Sequence, residues 1–254
     1  VIQSSTDPIL FLEYHRQFTH SLFFIPFGSL IVALLIFPLV KRSMNFKTVY
    51  LASLLGYATH GLLDACTSYG TQLFWPFSNE RVTWNNISII DPLFTIPVLI
   101  LLGIAIKSKK KVFSFFAIGW ITFYLSLGFV QYERALSAAI ELANSRGHNA
   151  ERLTLKPSFG NLILWKSIYQ HNETFYVDAI RTVQSSTWCL GESITAFDYQ
   201  QHLPDLDEDS QQKKDIERFR WFSQDYLGYD EEKNIVTDVR YSMIPNQIDP
   251  MWGL

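Results

Sequence analysis

Long stretches without charged residues are the feature of this sequence that most limits its fold. Residues 21–40 and 112–130 contain no Asp, Glu, Lys or Arg, and residues 87–106 contain only one. A transmembrane helix needs about 20 mainly apolar residues. Residues 49–63 form a shorter apolar stretch, interrupted by His60, between two of the longer ones. The sequence therefore predicts four transmembrane helices.

The composition changes near residue 130. Up to that point there are nine Lys and Arg against five acids, and beyond it there are twelve against nineteen. This shift predicts a membrane-embedded helical domain over residues 1–135, followed by a soluble α+β domain with an antiparallel sheet over residues 136–254. The net charge of −3 argues against a nucleic-acid partner, which needs a concentrated basic face.

Lys and Arg in short loops indicate which side of the membrane each loop occupies. The links at residues 41–47 and 107–111 carry three and four of them, so both are expected on the cytoplasmic side. With four spans, the loop at residues 64–86 and everything after residue 130 would be extracytoplasmic. The lipid bilayer is the first expected partner of this multi-pass protein.

The polar tail contains its own secondary-structure signals. Residues 137–145 should continue the last apolar helix, and residues 153–183 alternate around a His-Asn-Glu turn, which is typical of a β-hairpin. Residues 205–215 predict an acidic loop, residues 216–226 a short aromatic helix, and residues 236–244 a further strand.

Histidines and acids that a membrane should penalise gather at one predicted face. His15 and His20 precede the first span, His60 and Asp64 end the second, and Asp91 lies near the outer end of the third. An ionisable group at membrane depth costs roughly 2.5–3.5 kcal/mol even on lenient scales, so such groups point to function. Their convergence predicts a metal site.

Spacing sharpens this prediction for part of the set. His60 and Asp64 are i and i+4 on a helix and share one face, so they can bind one cation together. His15 and His20 are five residues apart, or about 140° around a helix, so they cannot share a face. Both can point inward only if the chain bends between them.

Each candidate site residue could instead have a purely structural role. A histidine near the end of a span is commonly an interfacial residue, and Asp91 precedes Pro92 and could simply cap a helix. Arg16 and Arg81 could bind an anionic oxygen or extend to phospholipid headgroups. His148, His171 and His202 in the tail are expected to be solvated. A Cys66–Cys189 disulfide is one option for the two cysteines.

Three segments resemble a known family. EYHRQFTHSLFFIP (13–26), GYATHGLLDACTSYGTQLFWPFS (56–78) and IIDPLFT (89–95) look like the YdjM-type bacterial inner-membrane, metal-dependent hydrolases. The resemblance covers nearly all of the first half, and residues 157–169 and 238–254 look like the tail of long members. It implies a location in the bacterial inner membrane.

The resemblance also implies roles for individual residues. His15, His20, His60 and Asp64 match the metal-site residues, and Asp91 is a further candidate. Members usually carry a Pro-Asp-Leu-Asp motif shortly before the first histidine, which this sequence lacks. We therefore expect an upstream segment to supply a further ligand.

The leading functional prediction is a membrane-bound hydrolase acting on phosphoester or lipid-linked substrates. His15, His20, His60 and Asp64 would hold one or two divalent ions, with zinc favoured by the mixed nitrogen and oxygen ligands. Asp91 would be a ligand or general base, and Arg16 and Arg81 would stabilise anionic charge.

Two other functions remain open from the sequence. The chain could be a non-catalytic membrane scaffold whose tail binds a partner, with a structural metal or none. A transporter is the third option, but four spans without inverted repeats fit it poorly.

The predicted topology has a direct test. Alkaline phosphatase fused after Leu254 should be active, because the enzyme needs the extracytoplasmic side, and a green fluorescent protein fused there should be dark. The reverse pattern of activity and fluorescence would refute the predicted orientation.

Overall fold

The computed structural model describes residue 4, residues 7–249 and residues 252–254. The chain forms two compact units, Val1–Trp84 and Asn85–Leu254. The predicted domain boundary at residue 135 lies inside one continuous helix, so it marks an expected change of environment along that helix. That boundary stays a prediction.

The first unit is helical. Helix α1 (Leu10–Tyr14) is followed by two 3₁₀ turns, Phe18–His20 and Leu22–Phe24, and then by α2 (Ile25–Val40) and α3 (Phe46–Ala65). Pro26 lies in the first turn of α2, where its missing N–H costs no hydrogen bond. Asn45 caps α3, since its side chain accepts a hydrogen bond from the Thr48 amide.

Helices α2 and α3 approach each other closely at a glycine. A Cβ atom on Gly28 would lie only 2.5 Å from Cζ of Tyr57, so the Tyr57 ring occupies the space that any other residue would need. The helix that contains His60 extends over 20 residues, longer than the 15 apolar residues of the predicted stretch.

The helices of the second unit begin with α4 (Pro92–Ser108) and α5 (Val112–Ser145). The loop before α4 lies close to α5 at a glycine, because a Cβ atom on Gly128 of α5 would lie 2.1 Å from the carbonyl oxygen of Asn86. Farther along, Phe94 of α4 contacts the ring of Tyr124 on α5.

Within the described residues, two helical segments are long and apolar enough to cross a membrane. They are Leu22–Val40 and Val112–Ser145, while Pro92–Ser108 is apolar but shorter. Leucines such as Leu35 and Leu39 are largely exposed on the first segment, as expected of a surface that faces lipid. Each predicted span contains a helix, although the helix in residues 87–106 begins only at Pro92, where Asp91 caps it. The crossing of all four stays a prediction.

The tail contains the predicted antiparallel sheet. Five strands belong to it, with the path β1-β2-β3-β4 and β5 also paired with β3. Their bounds are β1 Glu151–Pro157, β2 Leu164–His171, β3 Thr174–Thr182, β4 Ser186–Cys189 and β5 Ser193–Thr195. The hairpin predicted around His-Asn-Glu is confirmed as β2 and β3, with His171 opposite Thr174.

The core of the tail explains why α5 is so long. Ala135, Ala138, Ala139 and Leu142 on its second half are buried against side chains of the sheet, which are Leu155, Trp165 and Ile180. The small alanines let the helix lie close to the sheet. The predicted continuation of the last apolar helix through residues 137–145 is confirmed.

The remaining elements differ in length from their predictions. They are α6 (Tyr199–His202), α7 (Gln211–Phe222), and the paired strands β6 (Leu227–Asp230) and β7 (Ile235–Asp238). The predicted acidic loop ends early because Ser210 caps α7, accepting a hydrogen bond from the Lys213 amide. The predicted last strand stops at Asp238, whose carboxylate accepts a hydrogen bond from the Arg240 amide and turns the chain. Both cysteines are free thiols in the structure, with Cys66 buried and Cys189 exposed.

A buried ion pair joins the end of α5 to the sheet. Both terminal nitrogens of Arg146 donate to the carboxylate of Asp178 at 2.7 Å, and Asp178 also accepts a hydrogen bond from the Gly191 amide. Only 1% of the Asp178 side chain is exposed. Removing one partner of such a pair leaves a buried charge without compensation.

We therefore expect Asp178→Ala to lower the free energy of unfolding by roughly 3–5 kcal/mol. Asp215→Ala breaks the more exposed pair with Arg218 on α7 and should cost no more than about 1 kcal/mol. Urea unfolding of the full chain in detergent, followed by tryptophan fluorescence, measures both. Equal losses for the two variants would contradict the structural role of Asp178.

Candidate functional site

A sharp bend before the first membrane helix brings His20 to the site. Helix α1 ends at Tyr14, and Arg16 then adopts the left-handed conformation, with φ +56°. The 3₁₀ turn Phe18–His20 follows in a new direction. The carbonyl of Arg16 is fixed by a hydrogen bond from the Gln72 amide. The bend that the histidine spacing required is therefore present.

Gly61 lets this turn approach α3. A Cβ atom at position 61 would lie 2.5 Å from the carbonyl oxygen of His20, closer than atoms without a bond can approach. Only glycine leaves room for the His20 backbone here. The contact places the His20 ring beside the face of α3 that carries His60 and Asp64.

Three predicted ligands converge at this point. Among the described residues, His20, His60 and Asp64 form a group whose ligand atoms all lie within 4.8 Å of one another. Oδ2 of Asp64 is 3.1 Å from Nε2 of His20 and 3.6 Å from Nε2 of His60. The two imidazole rings are 4.6 Å apart. His20 and Asp64 are largely buried, whereas 57% of the His60 side chain is exposed.

Arg16 supplies positive charge to the same carboxylate. Its Nε lies 3.3 Å from Oδ2 of Asp64, and its Nη1 donates to the Asp64 carbonyl and to the Thr67 hydroxyl. The guanidinium also stacks over the Tyr69 ring, 5.1 Å from its centre. These contacts hold the Arg16 guanidinium within hydrogen-bond distance of the Asp64 carboxylate.

His15 lies apart from the three-residue group. Its ring packs against the rings of Phe11 and Tyr69, each at 4.8 Å between ring centres. Burial, together with the nearby charges of Arg16 and Arg81, lowers the pKa of His15 to about 4. The imidazole is therefore neutral at physiological pH, and its assignment as a ligand stays a prediction.

Arg81 is buried and bonded to the backbone. Its terminal nitrogens donate to the carbonyl of Gly70 at 3.0 Å and, at longer range, to those of Leu12 and His15. These bonds tie the loop after α3 to the segment before the bend. The two roles considered from the sequence, binding of an anionic oxygen and contact with phospholipid headgroups, stay predictions for Arg81.

Asp91 belongs to the second unit and has structural contacts there. Its Oδ1 accepts hydrogen bonds from the amides of Leu93 and Phe94, so it caps α4 as the sequence alternative proposed. Its Oδ2 accepts a hydrogen bond from the Tyr124 hydroxyl at 2.8 Å. A role as ligand or general base stays a prediction.

The comparison with known proteins identifies the helical part of the chain. The family model described as YdjM inner membrane protein matches residues 2–135, just over half of the chain. The chain belongs to the YdjM inner membrane protein family. Membership and the two long apolar helices together indicate that this YdjM-family chain is located in a membrane.

A curated relative supports the likeness over a shorter range. The uncharacterized protein YfhP of Bacillus subtilis is 32% identical over 95 residues, which is 37% of this YdjM-family chain and 29% of YfhP. The match thus spans less than a third of that relative. No solved structure matches the chain.

Sequence reasoning missed two residues that shape the candidate site of this YdjM-family chain. Gly61 is essential for the approach of His20, and Thr19 places its hydroxyl 2.9 Å from Nδ1 of His20. A glycine inside a helix lowers helix stability, so its position directly after His60 was a usable signal. Thr19 offered no such signal, because its contact depends on the turn.

We expect Gly61→Ala to destabilise the protein by about 1–3 kcal/mol, because the added methyl group must displace the His20 backbone. Gly56→Ala on the same helix is a matched control, since nothing lies within 4 Å of its added Cβ. Thermal unfolding of both variants in detergent provides the comparison. Equal unfolding midpoints would show that the His20 contact at Gly61 is not tight.

Proposed function

We propose that the chain is a membrane-bound, metal-dependent hydrolase in which His20, His60 and Asp64 hold one divalent ion, with zinc preferred. One observation carries this proposal, namely that the ligand atoms of these three residues lie within 4.8 Å of one another. Two imidazole nitrogens and one carboxylate oxygen are a common donor set for zinc in hydrolases.

The surroundings of the three residues suit a catalytic ion. Three protein ligands leave a coordination position for water or substrate. In the tautomer whose Nδ1–H donates to the Thr19 hydroxyl, Nε2 of His20 carries the lone pair that would bind a cation. A zinc ion bound there would lower the pKa of its water toward neutrality and polarise the bond to be cleaved.

The proposal gives Arg16 two tasks. Its contact with Oδ2 of Asp64 helps to keep the carboxylate ionised, and its planar guanidinium can donate to an anionic oxygen of a substrate. This chemistry suits phosphoester or lipid-linked phosphate substrates. His15, whose ring packs against the same Tyr69 ring that the Arg16 guanidinium covers, would position that arginine through Tyr69. Arg81 and Asp91 would support the fold through their backbone contacts.

The finer membrane topology is part of the same proposal. Helices α2, α3, α4 and α5 would each cross the membrane, with the basic links at residues 41–47 and 107–111 in the cytoplasm. The turn before α2 that carries His20 and the end of α3 that carries Asp64 would then face the extracytoplasmic side. Exposure of His60 would let a substrate reach the ion from the membrane surface.

Elemental analysis of the full chain, purified in detergent, tests the metal. We expect one zinc ion per chain in the wild type and loss of zinc in His60→Ala and Asp64→Asn, because each removes a ligand. His171→Ala is the matched control, since His171 lies on the tail hairpin, and it should retain the metal. Equal zinc content in His60→Ala and the wild type would refute the site.

Hydrolysis needs a separate assay. We expect phosphate release from phosphate monoesters, phosphodiesters and phosphatidic acid vesicles to depend on zinc. The rate should fall more than about 100-fold in His60→Ala, which is more than the typical loss when a residue that only contacts a metal ligand is mutated. A zinc-containing protein that cleaves none of these, and whose cellular role survives His60→Ala but not loss of the tail, would favour the scaffold instead.

A further inference from the structure

The loop between β1 and β2 is hydrogen-bonded to the segment just before α4 and to α5. The Gly160 amide donates to the carbonyl of Ile90, just before α4, at 3.1 Å. The Gln131 side chain of α5 donates to the carbonyl of Leu162 at 3.1 Å. The loop, residues 158–163, therefore lies level with the start of α4 and with the middle of α5.

This level coincides with the change from apolar to polar residues on α5. The helix carries no charged residue from Val112 to Val130, and 56% of Val130 is exposed. Immediately beyond it come Gln131, Glu133 and Arg134. Such a change on an apolar helix that is long enough to cross a membrane marks the edge of the hydrocarbon region.

Large apolar side chains are exposed at the same level. Phe159 at the tip of the loop is 69% exposed, and Ile163 and Val183 are also exposed. We name these three residues the interfacial patch. Arg134 donates to the carbonyls of Val183 and Gln184, which keeps a guanidinium beside the patch. Apolar side chains bordered by arginine are typical of a surface at the lipid headgroups.

The loop holds Phe159 in a fixed position. The Asn161 side chain accepts hydrogen bonds from the amides of Ile163 and Leu164 and donates to the carbonyl of Phe159. Gly160 has φ +70°, the left-handed conformation that glycine tolerates best. A preformed loop presents an apolar side chain to a partner without a large cost in conformational entropy.

We propose that the interfacial patch inserts into the boundary between headgroups and acyl chains of the same membrane that α5 crosses. The loop that carries the patch is hydrogen-bonded to Ile90 just before α4 and to Gln131 on α5, so the patch continues the apolar surface of these helices, and this continuity selects lipid as the occupant. The tail then lies on the membrane surface, attached both through α5 and through the patch. This inference does not depend on the metal or on hydrolysis.

Site-directed spin labelling of the full chain in phosphatidylethanolamine and phosphatidylglycerol vesicles tests the insertion. Labels are placed at Phe159→Cys and Ile163→Cys in a background with Cys66→Ala and Cys189→Ser. The control is Glu173→Cys at the far end of the hairpin, about 23 Å along β2 at 3.3 Å per residue. Oxygen concentrates among acyl chains, whereas a nickel chelate stays in water.

We expect the ratio of oxygen to nickel accessibility to be several-fold higher at positions 159 and 163 than at position 173. Ratios equal to the control at both patch positions would overturn the proposal. Low accessibility to both reagents, with spin–spin broadening that disappears on dilution with unlabelled protein, would also overturn it and would identify a second copy of the chain as the occupant.

Discussion

An ionised carboxylate at the end of an apolar helix is the constraint around which the first unit is arranged. Asp64 lies in the last turn of α3, a helix with exposed leucines, where an uncompensated charge would be costly. Arg16 and His20 reach its Oδ2 from a segment more than forty residues earlier. The left-handed Arg16 and the absence of a side chain at Gly61 both serve this approach. The same arrangement that neutralises Asp64 creates the three-residue group proposed to bind metal.

In the second unit, the single helix α5 passes from an apolar to a polar environment. Its first part, from Val112 to Val130, suits lipid, while its second part covers a sheet with alanines and Leu142. Because α5 is unbroken, the tail has a fixed register relative to the edge of the apolar region. The Gln131 side chain holds the sheet at this position along α5, because it donates hydrogen bonds to the carbonyls of Leu162 and Thr182. The proposed contact of Phe159 with lipid depends on this rigid connection.

Sequence reasoning succeeded where an interaction is local. The His60–Asp64 pair follows from helical spacing, and the β2–β3 hairpin follows from alternation around a turn. It did not foresee the contact of Asp91 with Tyr124 or those of Arg81 with the carbonyls of Leu12 and His15, since these contacts join segments far apart in the chain. An ionisable residue near the end of a span can take part in catalysis or can form hydrogen bonds with backbone groups. Spacing in the sequence does not distinguish these two roles.

The sequence by itself determined the apolar helices, the antiparallel tail and the membership of His60 and Asp64 in one site, because helix and strand periodicity fix which neighbours share a face. Only the tertiary structure decided that His20 joins them while the ring of His15 packs against Phe11 and Tyr69. Those two histidines are separated by a bend whose direction depends on a left-handed residue and on close packing against Gly61. Such packing between distant segments has no periodic signal in the sequence.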